Sequence, residues 1–486
     1  MSTPVSRAEL GSWRAKLFYG FGSVAYGIKD FGFGTLLLFY YNRVVGLPPA
    51  EVSFAIALVL VFDAFADPIV GQFSDGLRTR WGRRHPLMYF SAVPVAVSYY
   101  FLWVPPHWSH GALFVYLVVM AILVRTFITM YEIPSAALVP EMTDDYDQRT
   151  SFVSVRYLFG VLAGVGINVV TYRFLLFSDA LHKDGQLNPA GYPYFALVSS
   201  IVMVVSILVS ARGTHRYIPL FRVPEERRIT LPQMFREMGT SLWHPQFLTL
   251  VGAAIFGTVA ISIGAALVIY FNTYFWQLST KQIGLFGFVG LLAAFLAPVL
   301  AGPLSRPLGK KNAALLFYFF CVVLTAAPIS LRLIGFFPPN GSTALLVLLF
   351  LERSLSVLMG IACLILFSSM MADVVDDSAL KTGRRSEGLF FAFIGFIGKL
   401  LSGAGTLIAG QVLQFAGMSG QATPTPDAIH HLAIYYLPCM VFFYGIGILL
   451  LSRYRISREL HNENIRLLNE TEAEAAVAIV AAPPVT

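Results

Sequence analysis

Charge is scarce in this chain. Asp, Glu, Lys and Arg make up 13% of its 486 residues, where a soluble domain carries about a quarter. Apolar residues reach 56% and the mean hydropathy is +0.68. A soluble chain of this length would form two to four domains, and none could hide so much apolar surface. That composition also excludes a disordered or collagen-like chain. Cysteine is rare: Cys321, Cys363 and Cys439 each sit inside an apolar run. This excludes a disulfide scaffold, and the three read as small buried hydrophobes. There is no Walker sequence, so ATP hydrolysis is not indicated. The nine histidines show no metal-ligand spacing, and His430-His431 reads as interfacial. No metal or cofactor is expected.

Long apolar runs are what the chain does have. A membrane crossing needs about 20 mostly apolar residues. Twelve runs qualify, at about 18–42, 51–75, 86–104, 111–139, 151–176, 194–212, 245–275, 282–304, 313–334, 342–371, 387–416 and 432–452. The 41 Phe and 22 Tyr suit a lipid-facing surface with interfacial belts. The short polar start reads as a cytoplasmic segment, 1–17, rather than a cleavable signal.

Basic residues set the orientation. With both termini cytoplasmic, 24 of the 34 Lys and Arg fall on the inner side. Arg43, Arg173, Lys183, Lys281 and Arg332 fall outside, and Lys29, Arg125, Arg156, Arg353 and Lys399 within spans. This is the positive-inside pattern, so the net charge of +7 reports topology and implies no nucleic-acid partner. The expected organisation is a six-helix bundle over 18–212, a cytoplasmic linker over 213–244, a second six-helix bundle over 245–453, and a poorly ordered tail over 454–486.

The halves share a punctuation. Asp67-Pro68-Ile69-Val70-Gly71, Ser74-Asp75 and Gly82-Arg83-Arg84 close the second run. Ala297-Pro298-Val299-Leu300-Ala301-Gly302, Ser305-Arg306 and Gly309-Lys310-Lys311 close the eighth, with Gly302 placed 231 residues after Gly71. Two six-span halves with this loop in each resemble the major facilitator architecture. That implies an all-α membrane protein of twelve helices, with a substrate site between the halves near the midplane.

A charge at bilayer depth costs at least about 2.5–3.5 kcal/mol, so it marks a cavity or a partner. Asp63 and Asp67 share one helix face, a turn apart. Two carboxylates this close stay ionised in low dielectric only with a cation nearby. A proton on one of them, a Na⁺ between them, or pairing with lysine or arginine would each serve. Pro68 removes a backbone donor and frees a carbonyl beside them. Arg125, Thr129 and Glu132 share a face of the fourth run; Arg125 and Glu132 are candidate substrate contacts, as is Tyr26, and Thr129 can lend its hydroxyl to the cation. Tyr26 and Asp30 share a face of the first run, beside Lys29. Carboxylates suit polyol recognition, since each accepts from adjacent hydroxyls. Arg156 and Lys399 would donate to the solute or neutralise the acids. Inner-loop charges Arg83, Glu141, Arg149, Asp373 and Arg385 are candidates for a gate of ion pairs.

Three motifs in order resemble the glycoside–pentoside–hexuronide:cation symporters. They are Asp63-Ala64-Phe65-Ala66-Asp67-Pro68 continuing to Gly82-Arg83-Arg84-His85-Pro86, Ile133-Pro134-Ser135-Ala136-Ala137-Leu138-Val139-Pro140-Glu141-Met142-Thr143, and Met370-Met371-Ala372-Asp373-Val374-Val375-Asp376 with Lys381-Thr382-Gly383-Arg384-Arg385 and Lys399. The resemblance covers about 15–452 and implies cation-driven sugar uptake by alternating access, in a bacterial inner membrane, with no obligate protein partner. It matches Asp63, Asp67 and Thr129 to the cation site. It matches Lys29, Asp30, Glu132 and Arg156 to sugar contacts, and Lys399 to a lysine near both sites. Ala66 stands where sodium-using members can carry an amide, which favours H⁺ over Na⁺. Ala136 stands where some disaccharide carriers place tryptophan, and Glu132 replaces a shorter Asp. A lysophospholipid-like amphiphile is the alternative substrate. A non-transporting membrane sensor of the same fold is the alternative role.

Overall fold

The computed structural model describes residues 7–143, 145–221, 245–382, 387–420, 423–457, 459–461, 463, 464, 466, 467 and 470. Among them every regular element is helical, as a chain in lipid requires when its backbone must satisfy itself. The chain enters through α1 (Trp13–Phe21), capped by the Ser12 side chain, and α2 (Ser23–Phe31). It continues through π-helical turns at Gly32–Leu36 and Tyr40–Val45. The expected first run is therefore helical but broken into pieces. Next come α3 (Pro49–Gly76), α4 (His85–Leu102), α5 (His110–Ala136), α6 (Tyr146–Val170) and α7 (Tyr192–His215).

The second half holds α8 (Pro245–Tyr270), α9 (Gly287–Leu333), α10 (Thr343–Thr382), α11 (Glu387–Phe415) and α12 (Pro426–Leu451). A short helix at Thr280–Leu285 leads into α9, which breaks at Gly309 and so fills two expected crossings. Helices thus stand at all twelve expected positions, and among the described residues ten of them are long and apolar enough to span. Most of the expected linker, 222–244, lies outside the described residues.

The sequence repeat is repeated in three dimensions. Gly82 and Gly309 both take positive φ, 73° and 77°, which a side chain would disfavour. The basic residues that follow each find an acid in their own half. Arg83 and Arg84 each lie 3.0 Å from Glu141. Lys310 lies 2.7 Å from Asp373.

Two contacts fix how the halves meet. Helix α11 lies so close to α3 that a Cβ at Gly410 would come 1.9 Å from Ser53 Oγ. At the bundle end carrying residues 40–47 and 270–280, side chains bond across the halves. The Tyr270 hydroxyl donates to Asn42 Oδ1 at 2.9 Å, and Arg43 Nε donates to the Tyr274 hydroxyl at 2.9 Å. Thr280 Oγ1 donates to Gln186 Oε1 at 2.6 Å, and Gln186 Nε2 donates to Thr273 Oγ1 at 3.1 Å. At the opposite end the ion pairs just named stay within a half.

Where the sequence suggests a poorly ordered tail, described residues 459–461, 463 and 464 are helical. Asn464 is buried and donates to Asp377 Oδ1 at 3.1 Å, and His461 sits 3.3 Å from Asp373.

Candidate substrate and cation sites

Helix α3 carries Asp63 and Asp67 at its middle, facing α5 and α11. Asp63 is 1% exposed. Lys399 of α11 reaches across the interface between the halves. Its Nζ lies 2.9 Å from Asp63 Oδ2 and 2.5 Å from Asp67 Oδ2. Arg125 of α5 lies 3.0 Å from Asp63 Oδ2, with its guanidinium 4.9 Å from the centre of the Phe33 ring. Thr129 Oγ1 is 3.2 Å from Asp63 and 3.3 Å from Asp67. Two acids and two bases thus form one cluster with no net charge, which lowers the cost of keeping it at this depth.

This arrangement bears on two readings. Of the three ways to neutralise the carboxylates, the structure takes the pairing with basic side chains. Lys399 Nζ stands between Asp63 and Asp67, where a small cation would otherwise lie. Arg125, read from sequence as a substrate contact, is committed to Asp63. Its face of α5 divides: Arg125 and Thr129 serve the acidic pair, and Glu132, a turn further on, serves a second site.

That second site is a chamber of about 600 Å³ between α1, α2, α5 and α6. Tyr26, Asp30, Glu132 and Arg156 all line it, together with Tyr19 and Ser23. Asp30 is open to it, with its side chain 46% exposed, and Lys29 holds it at 2.8 Å. Lys29 itself is buried, its ammonium 4.4 Å from the centre of the Tyr26 ring, so it positions Asp30 and does not line the chamber. Arg156 donates to the Tyr19 hydroxyl at 3.2 Å and stands 3.8 Å from Glu132. Ala136 also lines the wall, so the small side chain widens the chamber at that point.

Sequence reasoning passed over Tyr19 and Ser23. The signal was present, because Tyr19, Ser23, Tyr26 and Asp30 recur at helical spacing along one stripe. Among the gate candidates, Arg83 pairs with Glu141 and Asp373 with Lys310, each within one half. Arg149 Nε donates to the Thr143 carbonyl at 2.9 Å. Arg385 lies outside the described residues.

The chamber offers two carboxylates and one guanidinium to a polar solute. The acidic pair offers four carboxylate oxygens and a hydroxyl to a cation. Thr129 and Glu132, a turn apart on α5, join the two.

Residues 18–458 match the family model described as MFS/sugar transport protein. The chain is 26% identical to the glucuronide carrier protein homolog of Escherichia coli, over 88% of this chain and 90% of that protein. It is 24% identical to the sodium-dependent lysophosphatidylcholine symporter 1 of Mus musculus, over 95% and 89%. The solved structure of the nucleoside transporter NupG superimposes with a TM-score of 0.65 at 11% identity, over 92% of this chain and all of that one, which speaks to the fold. The protein is an integral membrane carrier and not an enzyme. It belongs to the MFS/sugar transport protein family, in its glycoside–pentoside–hexuronide:cation symporter branch.

Proposed function

We propose that this chain imports a sugar or glycoside together with a cation, by alternating access, across a bacterial inner membrane. The observation that carries the reading is Lys399 of one half held between Asp63 and Asp67 of the other. A cation can settle on these carboxylates only if Lys399 withdraws or one carboxylate takes a proton. Either event exchanges a bond between the halves, so cation occupancy and the relative position of the halves are linked. Linkage of this kind is reciprocal: what the cation does for the solute, the solute does for the cation.

The chamber suits the solute. Asp30 and Glu132 accept hydrogen bonds from neighbouring hydroxyls, and Arg156 donates to ring or hydroxyl oxygens. The positive-inside bias supports cytoplasmic termini. On that orientation the sealed end is the outer one, and the chamber belongs to an inward-facing state. The family's relatives support a coupling cation. Ala66 leaves the α3 face without a further oxygen donor, and this favours H⁺ over Na⁺. The test is uptake of radiolabelled sugars into proteoliposomes under an imposed proton or sodium gradient. Accumulation driven by the proton gradient alone is the expected result. Accumulation that ignores both gradients would overturn the reading.

A second reading has one observation behind it. An apolar cavity of about 190 Å³ lies in the second half, with Leu250, Ile261, Phe367 and Leu401 in its wall. It would suit the tail of a lysophospholipid-like amphiphile. Competition between a labelled lysophospholipid and a sugar in the same vesicles separates the two.

A further inference from the structure

We infer that Arg80 and Arg212, with Trp81, Tyr89 and His215, form a headgroup site for a phospholipid of net negative charge. The inference needs only that the chain spans a bilayer, and it is independent of what the chamber carries. Helices α4 and α7 run antiparallel, side by side. His85 Nε2 and Thr214 Oγ1 lie 3.0 Å apart near one end, and Ser200 Oγ donates to the Ala96 carbonyl at 2.8 Å further along. Each helix leaves an apolar stripe exposed. On α7 it runs through Ile201, Val205 and Leu208 and ends on exposed Arg212, a spacing of four, three and four that holds one face. On α4 it runs back through Val97, Val93 and Phe90 toward the turn that carries Arg80 and Trp81. Acyl chains cover such stripes, so the basic and aromatic residues at their end meet lipid headgroups.

That end is an ordered cluster. Trp81 packs edge-on against Tyr89, with ring centres 5.7 Å apart, and against His215 at 6.3 Å. The Arg80 guanidinium stands 5.6 Å from the centre of the Trp81 ring. Arg212 is the basic neighbour that acts on both Tyr89 and His215. Trp81 is 42% exposed, as suits a ring at the lipid–water boundary. Neither arginine makes an ion pair or a hydrogen bond with any described residue. Asp75, the acid nearest Arg80 in sequence, is held by Arg84 at 2.5 Å. The Tyr89 hydroxyl lies 3.3 Å from His215 Nδ1. When it donates there, the ring proton sits on Nε2, which has no described partner and stays free to donate. A phosphate takes charge-assisted bonds from two guanidinium groups and a further bond from the imidazole. Arg306, at the matching turn of the second half, is also exposed, but it makes no ring contact with any described residue. It is a free charge without the aromatic frame, and so serves as the control.

The experiment is tryptophan quenching of the purified full chain in phosphatidylcholine vesicles. These hold a small fixed share of brominated phosphatidylglycerol or of brominated phosphatidylcholine. Each variant is read with and without Trp81→Phe, and the difference isolates the Trp81 signal. In the wild type, brominated phosphatidylglycerol should occupy the site about tenfold or more over brominated phosphatidylcholine. Arg80→Gln combined with Arg212→Gln should bring the two lipids level. Either change alone should lower the preference about fivefold, the gain that one basic side chain brings at an anionic surface. The single variants carry the test if the double variant fails to fold. Arg306→Gln should keep the wild-type preference. Equal quenching by both lipids in the wild type, or a preference that survives the double variant, overturns the site. An equal loss in Arg306→Gln also overturns it, because diffuse surface charge would then explain the attraction. So does inorganic phosphate that abolishes the preference at constant ionic strength, since the cluster would then take a free anion.

Discussion

The first half of the chain carries seven charged residues in the middle of its spans: Lys29, Asp30, Asp63, Asp67, Arg125, Glu132 and Arg156. The second half's spans carry Lys399 near the middle of one, with Glu352 and Arg353 in the first third of α10. Yet the scaffolds correspond closely. Each half has a positive-φ glycine at the matching turn and a base-to-acid pair beside it. The repeat thus conveys geometry and leaves the chemistry asymmetric. One half holds the acids, and the other lends a single lysine whose partners lie across the interface. A lysine so placed reports on the separation of the halves, which a pair within one half could not do.

The strongest way to break this asymmetry is to remove an acid that Lys399 holds. Asp63→Asn should lower gradient-driven uptake by about 100-fold or more with the protein still inserted, because it strips a partner from both Arg125 and Lys399. The measurement is initial uptake rate normalised to protein in the membrane. Next come the chamber acids. Asp30→Asn or Glu132→Gln removes one charge-assisted hydrogen bond, worth about 1.5–3 kcal/mol, so solute affinity should fall about 10- to 100-fold. The cation dependence of the residual binding should persist, since the acidic pair is intact. Equal loss of expression in both variants would instead mark these residues as structural.

A smaller effect is expected where the halves touch without charge. Gly410→Ala places a methyl group against Ser53 and should slow uptake several-fold. Gly445→Ala on α12 meets open space and should raise stability by about 0.5–1 kcal/mol with uptake unchanged. The smallest effect belongs to the ion pairs beside those turns. Lys310 is 36% exposed, so Lys310→Gln should cost no more than about 1 kcal/mol in thermal unfolding.

Much of this was legible in the chain before its fold. Apolar runs must span, and a 231-residue repeat of glycine and basic residues divides them in two. Charges inside such runs are expensive enough to be noticed one by one, which is why Asp63, Asp67, Asp30 and Glu132 stood out. What hydropathy cannot see is which charge meets which. Lys399 and Asp67 are 332 residues apart, and nothing local announces that the lysine stands where a cation was expected. Sequence reading gives Arg125 to the solute, whereas in the structure its helix face divides between two sites a turn apart. The π-helical turns after Phe31 were also hidden, because they change the winding of an apolar run without changing its composition.

The central claim is that Lys399 and the coupling cation compete for one pair of carboxylates. Solute affinity measured with and without the cation, in the wild type and in Lys399→Gln, tests it most directly. In the wild type the cation should tighten solute binding about tenfold. In Lys399→Gln the acids lose their resident counter-ion, so the cation should bind more tightly and its effect on solute affinity should shrink toward none. If Lys399→Gln keeps the wild-type cation affinity and the full tenfold effect, the lysine is a bystander and the account is contradicted.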